Sequence, residues 1–220
     1  MTRILAIGDV HTEHVALAAT LARFAHTVDR VFCVGDIVDG ALGLSGASEC
    51  VRILRRHSIE TVAGNHERWW LCGHARHDAE ALPVGALDDD ALEWIATRPR
   101  FITLDTSVGR SIVAHGFGVD DMACVEATSL PDEATQHPEW LRMRAGKFAL
   151  HIGGHSHRPG VRWVSDGVAL SGHDGTTFLN AGTLHRGHSP CACVIDTERR
   201  TVEWHPIDGE RFGTPRVGRW

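Results

Sequence analysis

Val31-Phe32-Cys33-Val34-Gly35-Asp36-Ile37-Val38-Asp39-Gly40 is the stretch on which the reading of this chain turns. Its apolar run, with Val and Phe prominent, reads as a buried strand, and Gly35 ends it so that Asp36 stands at the strand's C-terminal tip. Open α/β sheets bind ligands at that edge. A carboxylate has two oxygens, so one Asp held there can bridge two cations about 3.5–4 Å apart, the spacing used for in-line phosphoryl chemistry. Asp36 is the candidate bridge, and Asp39 is near enough to orient a neighbour without ligating. Taken alone, Gly35-Asp36 reads first as the start of a turn. The neighbouring segments decide between the two.

Upstream, Arg3 to Ile7 is a short apolar strand ending in Gly8-Asp9-Val10-His11. Side chains at i and i+2 of an extended segment point the same way, so Asp9 and His11 are expected to converge. Residues 13–26 carry Val15, Leu17, Ala18, Leu21, Ala22 and Ala25 at helical spacing, a helix crossing over to the Val31 strand. Downstream, a helix over 47–57 leads to a strand over 59–63, which ends in Gly64-Asn65-His66-Glu67. Asn65 offers a neutral carbonyl oxygen and His66 a nitrogen that titrates near neutrality.

Further along the chain, Trp69, Trp70 and Leu71 suggest a helical turn or a lid, and 72–80, with His74 and His77, reads as exposed. Asp88-Asp89-Asp90 reads as the cap of a helix. Strands over 101–104 and 111–114 lead to His115-Gly116, and 117–146 is irregular with a helix near 139–144. The strand over 148–153 ends in Gly154-His155-Ser156-His157, where the same extended spacing turns both imidazoles into one pocket. His151, mid-strand, reads as packed. Strands over 161–170 and 177–179 precede Asn180-Ala181-Gly182-Thr183, and His185, Arg186 and His188 then either touch a phosphate or face water. A hairpin over 191–196 and 201–206 closes the pattern, with a loosely held or oligomer-forming tail after Ile207.

Composition bounds the answer. The chain has 220 residues, enough for one domain with a substantial core, and we expect a single domain over 1–220 with 68–98 and 117–146 as lid or substrate loops. Lys and Arg number 22 against 28 Asp and Glu, a net charge of −6 that argues against duplex nucleic acid. Arg52, Arg55 and Arg56 fall at the spacing of a solvated helix face. No apolar run suits a signal peptide or a bilayer span, so a cytoplasmic protein with no membrane partner is expected. The six cysteines form no Cys-x-x-Cys pair and read as reduced thiols. Sixteen histidines, several at loop positions, hint at metal.

Each tip is a weak signal and their conjunction is a strong one. Gly8-Asp9-x-His11, Gly35-Asp36-x-x-Asp39, Gly64-Asn65-His66-Glu67, His115-Gly116 and Gly154-His155-x-His157 occur in that order and together resemble the five blocks of the calcineurin-like metallophosphoesterases. Asn180-Ala181-Gly182-Thr183 is similar to a further turn of the small bacterial phosphodiesterase-like branch. The resemblance implies an α/β fold, a four-layer αββα sandwich of two mixed sheets flanked by helices. It implies that Asp9, His11, Asp36 and His157 hold one divalent cation and that Asp36, Asn65, His115 and His155 hold a second. His66 matches the family's leaving-group or phosphate-contacting histidine, and Asp39 the acid that orients it.

Mixed His, Asp and Asn donors without thiolate suit Mn, Fe, Ni, Co or Zn, with Mn expected first and Mg also allowed. The expected activity is hydrolysis of small phosphomonoesters or phosphodiesters, nucleotides included, by water activated between two cations. A dinucleoside polyphosphate hydrolase, a Ser/Thr protein phosphatase and a non-enzymatic scaffold on the same fold are the alternatives. Two departures stand out: Thr12 replaces a Gly common among relatives, and Gly40 occupies the place of an Arg with which the protein phosphatases grip phosphate.

Overall fold

The computed structural model describes residues 3–167 and 174–220. β1 (Arg3–Ile7) leads through α1 (His14–Phe24) to β2 (Arg30–Cys33), and α2 (Gly43–Arg56) carries the chain on to β3 (Glu60–Thr61). These three strands are parallel neighbours. Parallel pairing needs a long crossover, which each helix supplies while packing its apolar face back on the sheet. α3 (Asn65–Cys72) and α4 (Asp89–Ala96) follow, then the hairpin β4 (Phe101–Thr106) and β5 (Gly109–Ala114). After α5 (Pro131–Thr135) and α6 (Pro138–Ala145) come β6 (Leu150–Gly153), β7 (Gly160–Val164) and β8 (Thr176–Asn180). The chain closes with β9 (Cys191–Asp196), β10 (Thr201–Asp208), β11 (Arg211–Phe212) and β12 (Arg216–Arg219).

The strands form two mixed sheets. One runs β11-β10-β9-β1-β2-β3 with β12 also paired to β10, and the other runs β4-β5-β6-β8-β7. Alternation along the strands sorts side chains into three apolar layers. Leu5, Ile7 and Cys33 face Leu17, Leu21 and Leu54 of the first helical layer. Ile4, Ala6 and Phe32, on the opposite faces of the same strands, meet Val113, Leu150, Ile152 and Leu179 between the sheets. Ile112 and Phe178 then pack on Trp140 and Met143 of the second helical layer. The result is the expected αββα sandwich. Each fully buried Leu or Ile contributes roughly 1.5–3 kcal/mol, so these layers carry the fold.

Several expectations need correction. The third strand is only Glu60–Thr61, because the chain leaves the sheet early to begin a helix. That helix runs Asn65–Cys72, so Asn65 and His66 sit in its first turn rather than at the tip of the strand. α2 starts at Gly43 rather than near 47. The segment 117–146 holds a second short helix, α5, beside α6. The tail is not loose: β12 pairs with β10 from Thr201↔Arg219 to Trp204↔Arg216. Of the strand expected over 161–170, β7 accounts for the residues to Val164, while 168–170 lie outside the described residues.

The capping reading of the Asp run holds, with Asp88 Oδ1 accepting from Ala91 N at 2.8 Å. Arg52, Arg55 and Arg56 are exposed on α2 as expected. All six cysteines are free, four of them buried.

Candidate metal centre

Both sheets deliver polar tips to one rim of the sandwich. Asp9 and His11 follow β1, Asp36 and Asp39 follow β2, and Asn65 opens α3 just after β3. From the other sheet, His115 follows β5, and His155 and His157 follow β6. The tips are not extended, as the i, i+2 argument assumed. His11, Thr12, Asp36, Asp39, His155 and His157 have φ of 43°, 63°, 48°, 61°, 68° and 59°. Left-handed backbone costs a non-glycine residue roughly 1–2 kcal/mol. The turns are cross-braced: His11 N donates to Asp36 O at 2.7 Å and Thr12 N to Ile37 O at 3.0 Å.

Among the described residues two groups of donor atoms result, each with its members within 4.8 Å of one another: His11, Asp36 and His157, and Asp36, His115 and His155. Asp36 belongs to both, its Oδ2 lying 3.8 Å from His11 Nε2 and 3.2 Å from His115 Nε2. Asn65 Oδ1 lies 2.9 Å from His115 Nε2 and 3.0 Å from His155 Nδ1. Asp9 Oδ1 accepts from His155 N at 2.9 Å and lies 3.5 Å from His115 Nδ1.

Tautomers follow from the outer contacts. His11 Nδ1–H donates to Asp39 O at 2.7 Å and His115 Nδ1–H to Val34 O at 2.8 Å, which turns each Nε2 towards the clusters.

These residues fit divalent cations. His11 Nε2, left with a lone pair, faces His157 Nε2 at 3.1 Å, a contact that needs a proton or a cation between the nitrogens. Asp9 Oδ2 is buried and finds no hydrogen-bond partner among the described residues, an anomaly for a carboxylate. Two glycines make room: a Cβ on Gly154 would stand 2.7 Å from Asp9 Oδ2, and one on Gly64 2.1 Å from Asp36 Oδ1. Nitrogen and oxygen donors without sulfur suit the borderline to hard ions.

The electrostatics agree. Burial pushes Asp9 up to about 7, helped by the Asp36 charge and opposed by His115. Burial alone would lower His115, but the adjacent Asp36 carboxylate outweighs it and holds the imidazolium up to about 10. Asp36, which burial would raise, is held well below the usual carboxylate range by that same partner. Burial takes His11 down to about 4 and His157 to about 3, so both are neutral and able to ligate at pH 7.

Beside the clusters, His66 Nδ1–H donates to Asp39 Oδ2 at 2.9 Å, and His66 N donates to Asp36 Oδ1 at 3.0 Å. Burial works against the charged ring, yet the Asp39 hydrogen bond and the carboxylates of Asp36, Asp39 and Glu67 raise its pKa. His74 and His77 are exposed, and His151 is buried with its Nε2 accepting from Gly118 N at 3.3 Å.

Sequence reasoning missed or left open several supports. Glu67, fully buried, accepts from the backbone N–H of Asp36, Ile37, Val38 and Gly64 at 2.7–3.1 Å. Only the contact to Gly64 had a local signal, an acid three residues into the helix as in a capping box. Arg76, in a stretch expected to be exposed, makes a bidentate pair with Asp39. His185 Nε2 pairs with Glu80 Oε2 at 3.0 Å, its ring 5.1 Å from that of His11, so it faces the site rather than water. Arg186, read with it, pairs with the buried Glu13. Asn180 Nδ2 donates to Gly154 O at 2.5 Å and to Ser156 Oγ at 3.1 Å, holding the His155–His157 turn from behind.

Gly40 has a packing reason: a Cβ there would meet His11 O at 2.2 Å and Thr12 Oγ1 at 2.6 Å.

A layered α/β sandwich with two carboxylate and imidazole clusters at one rim defines a class of protein able to hold metal ions at its strand ends. The family model of the calcineurin-like phosphoesterase superfamily domain matches residues 2–200, and the chain belongs to that superfamily.

Among solved structures it is similar to a metallophosphoesterase from Sphaerobacter thermophilus, at 24% identity and a TM-score of 0.68, over 94% of this chain and 88% of that one. A hypothetical protein from Pyrococcus horikoshii OT3 aligns at 12% identity and 0.66, over 96% and 90%. A Vps29 single mutant from Entamoeba histolytica aligns at 14% and 0.54, over 99% of each chain. These likenesses show the fold. A comparison with curated protein sequences gives no match. Among the described residues no helix is long and apolar enough to cross a membrane.

Proposed function

We propose that the chain is a metal-dependent phosphoesterase acting on small phosphomonoesters or phosphodiesters. Asp9, His11, Asp36 and His157 would hold one divalent cation, and Asp36, Asn65, His115 and His155 the other. The observation that carries this reading is that Asp36 belongs to both donor groups, its Oδ2 standing between His11 Nε2 and His115 Nε2, while His11 Nε2 and His157 Nε2 face each other at 3.1 Å. The chemistry a bound pair supplies is Lewis acidity: activation of water and neutralisation of charge growing on the phosphoryl oxygens.

The chain's own residues do the rest. Asp36 fixes the separation of the two donor groups, and Asn65 adds an oxygen without adding charge. His66, its Nδ1–H committed to Asp39, holds a proton at Nε2 for the departing oxygen, a general-acid contribution of about 10²–10⁴-fold. Mn is the first ion to try, with Fe, Zn, Ni, Co and Mg as alternatives. With a net charge of −6 the chain has no basic field for long polyanions, which favours a small ester or nucleotide. Gly40 weighs against a protein phosphatase, because its contact with His11 leaves no room for the phosphate-gripping Arg.

The test is chelation, reloading with Mn, and assay on p-nitrophenyl phosphate and its bis-ester. The expected result is about two ions per chain and turnover, both lost in Asp36→Asn. Two ions and undiminished turnover in Asp36→Asn would overturn the bridging role. A wild type that takes up Mn and hydrolyses neither ester would point to the scaffold instead.

A further inference from the structure

We propose that Arg76 is a positioning residue for His66, acting through Asp39, so that the proton-donating unit has three members rather than two. The proposal rests on the phosphoesterase reading above and extends it to a residue in the irregular segment between α3 and α4. Arg76 Nη1 and Nη2 donate to Asp39 Oδ1 and Oδ2, each at 2.8 Å, in the planar fork that only a guanidinium offers. The arginine is itself fixed, with Nε donating to His74 O at 2.6 Å and Nη1 also to Leu82 O at 3.0 Å.

The acceptor count on Asp39 closes. Oδ1 accepts from Arg76 Nη1 and from Leu82 N at 2.7 Å, while Oδ2 accepts from Arg76 Nη2 and from His66 Nδ1 at 2.9 Å. A carboxylate offers about four lone-pair sites, and four donors occupy them. Asp39 therefore has one orientation, and His66 inherits it. Without the fork the carboxylate keeps only Leu82 N and His66 Nδ1, one on each oxygen, and is free to turn. Asp39 is 3% exposed and Arg76 17%, so water has little room to replace the guanidinium.

The arrangement also separates two effects of Asp39. Its side chain carries His66, whereas its backbone oxygen carries His11. A change at Arg76 reaches the side chain directly, and Leu82, which Arg76 also contacts, touches that side chain too, through Leu82 N to Oδ1. Loss of Arg76 should thus impair the proton donor while leaving metal loading in place. The same segment is tied down a second time, since Glu80 O accepts from Gly40 N at 3.1 Å and Glu80 Oε2 pairs with His185. The segment therefore holds its place in an Arg76 variant.

The experiment compares wild type, Arg76→Ala and Arg76→Lys. Each is loaded with Mn and assayed on p-nitrophenyl phosphate, a good leaving group, and phenyl phosphate, a poor one. Loss of a residue that orients a site group typically costs 10–100-fold, so Arg76→Ala should lower kcat on phenyl phosphate by about that factor. The loss should be several-fold smaller on p-nitrophenyl phosphate, with KM and bound Mn unchanged. Arg76→Lys, a point charge without the fork, should recover part of it.

A second readout needs no turnover: the imidazole ¹⁵N spectrum of the metal-free protein should show the His66 Nδ1 signal displaced in Arg76→Ala and closer to wild type in Arg76→Lys. An equal loss on both esters, or a His66 signal that does not move, would overturn the proposal. If wild type hydrolyses neither of these monoesters, the monoesterase part of the phosphoesterase reading falls, and the spectrum still decides whether Arg76 sets His66.

Discussion

Replacing Glu67 by Gln should detach the Asp36 loop from the rest of the rim. The Glu67 carboxylate takes four backbone N–H groups: Asp36 and Gly64 on Oε2, Ile37 and Val38 on Oε1. Gln is isosteric but keeps a single acceptor oxygen. Whichever way its amide turns, two buried N–H groups then face an NH₂ that cannot accept. Each such orphaned group costs about 1–3 kcal/mol, or about 2–6 kcal/mol for the pair.

Part of this is offset. Burial and the Asp36 charge push the Glu67 carboxyl up, so its ionised form is itself costly and Gln removes that cost. A net loss of about 2–4 kcal/mol remains, a large share of the 5–15 kcal/mol typical of a domain. At roughly 2–4 °C per kcal/mol for this size, the melting point should fall by about 4–16 °C. Urea denaturation at constant m-value, paired with metal analysis, would check it. Bound Mn should drop as well, since the freed backbone is that of Asp36 itself. A Glu67→Gln protein with wild-type midpoint and full metal load would refute the bracing argument.

His66→Ala should retain Mn and lose about 10²–10⁴-fold in kcat, most with poor leaving groups, as metal analysis beside steady-state kinetics would show. Gly64→Ala brings a Cβ to 2.1 Å from Asp36 Oδ1 without forbidding the backbone, φ being −96°. It should lose metal while its far-UV circular dichroism stays native. The folded pKa of His115 lies above its unfolded value, so its stabilisation of the metal-free protein is full below pH 6.5 and fades as pH climbs towards about 10. Unfolding free energy should fall between about pH 6.5 and 8.5, by at most about 1.4 kcal/mol per pH unit. Excess Mn should flatten that slope, and calorimetry in buffers of different ionisation enthalpy should show a proton released on binding.

What could be read in advance was local. Each rim residue follows a short apolar run and often a glycine, and a period of two sorts each run between helix-facing and sheet-facing layers. The seven rim residues were legible for that reason, whereas the sandwich was legible only through the resemblance that their five blocks carry. Arg76 was not, because residues 73–88 have no periodicity and its partner lies 37 positions away. Glu67 could be seen as a helix cap but not as a brace for 36–38, which is a contact between segments. The left-handed turns at His11, Asp36, His155 and His157 have no signature in residue type, since tertiary hydrogen bonds impose them. β12 was missed because Arg216–Arg219 lacks an alternating apolar pattern; edge pairing with β10 holds it, together with Arg216, which stacks on Trp204 at 4.6 Å and donates from Nη2 to Pro159 O.

The seven candidate donors do not come from one sheet. Asp9, His11, Asp36 and Asn65 ride on the seven-stranded sheet, and His115, His155 and His157 on the five-stranded one. Cations seated among them would act as rivets through two plates, and a slip of one plate over the other would be felt first in the geometry of the rivet holes. Trimming a methyl group from Val34 or Ile152, in the seam between the plates, should therefore retune metal affinity with none of the seven residues altered.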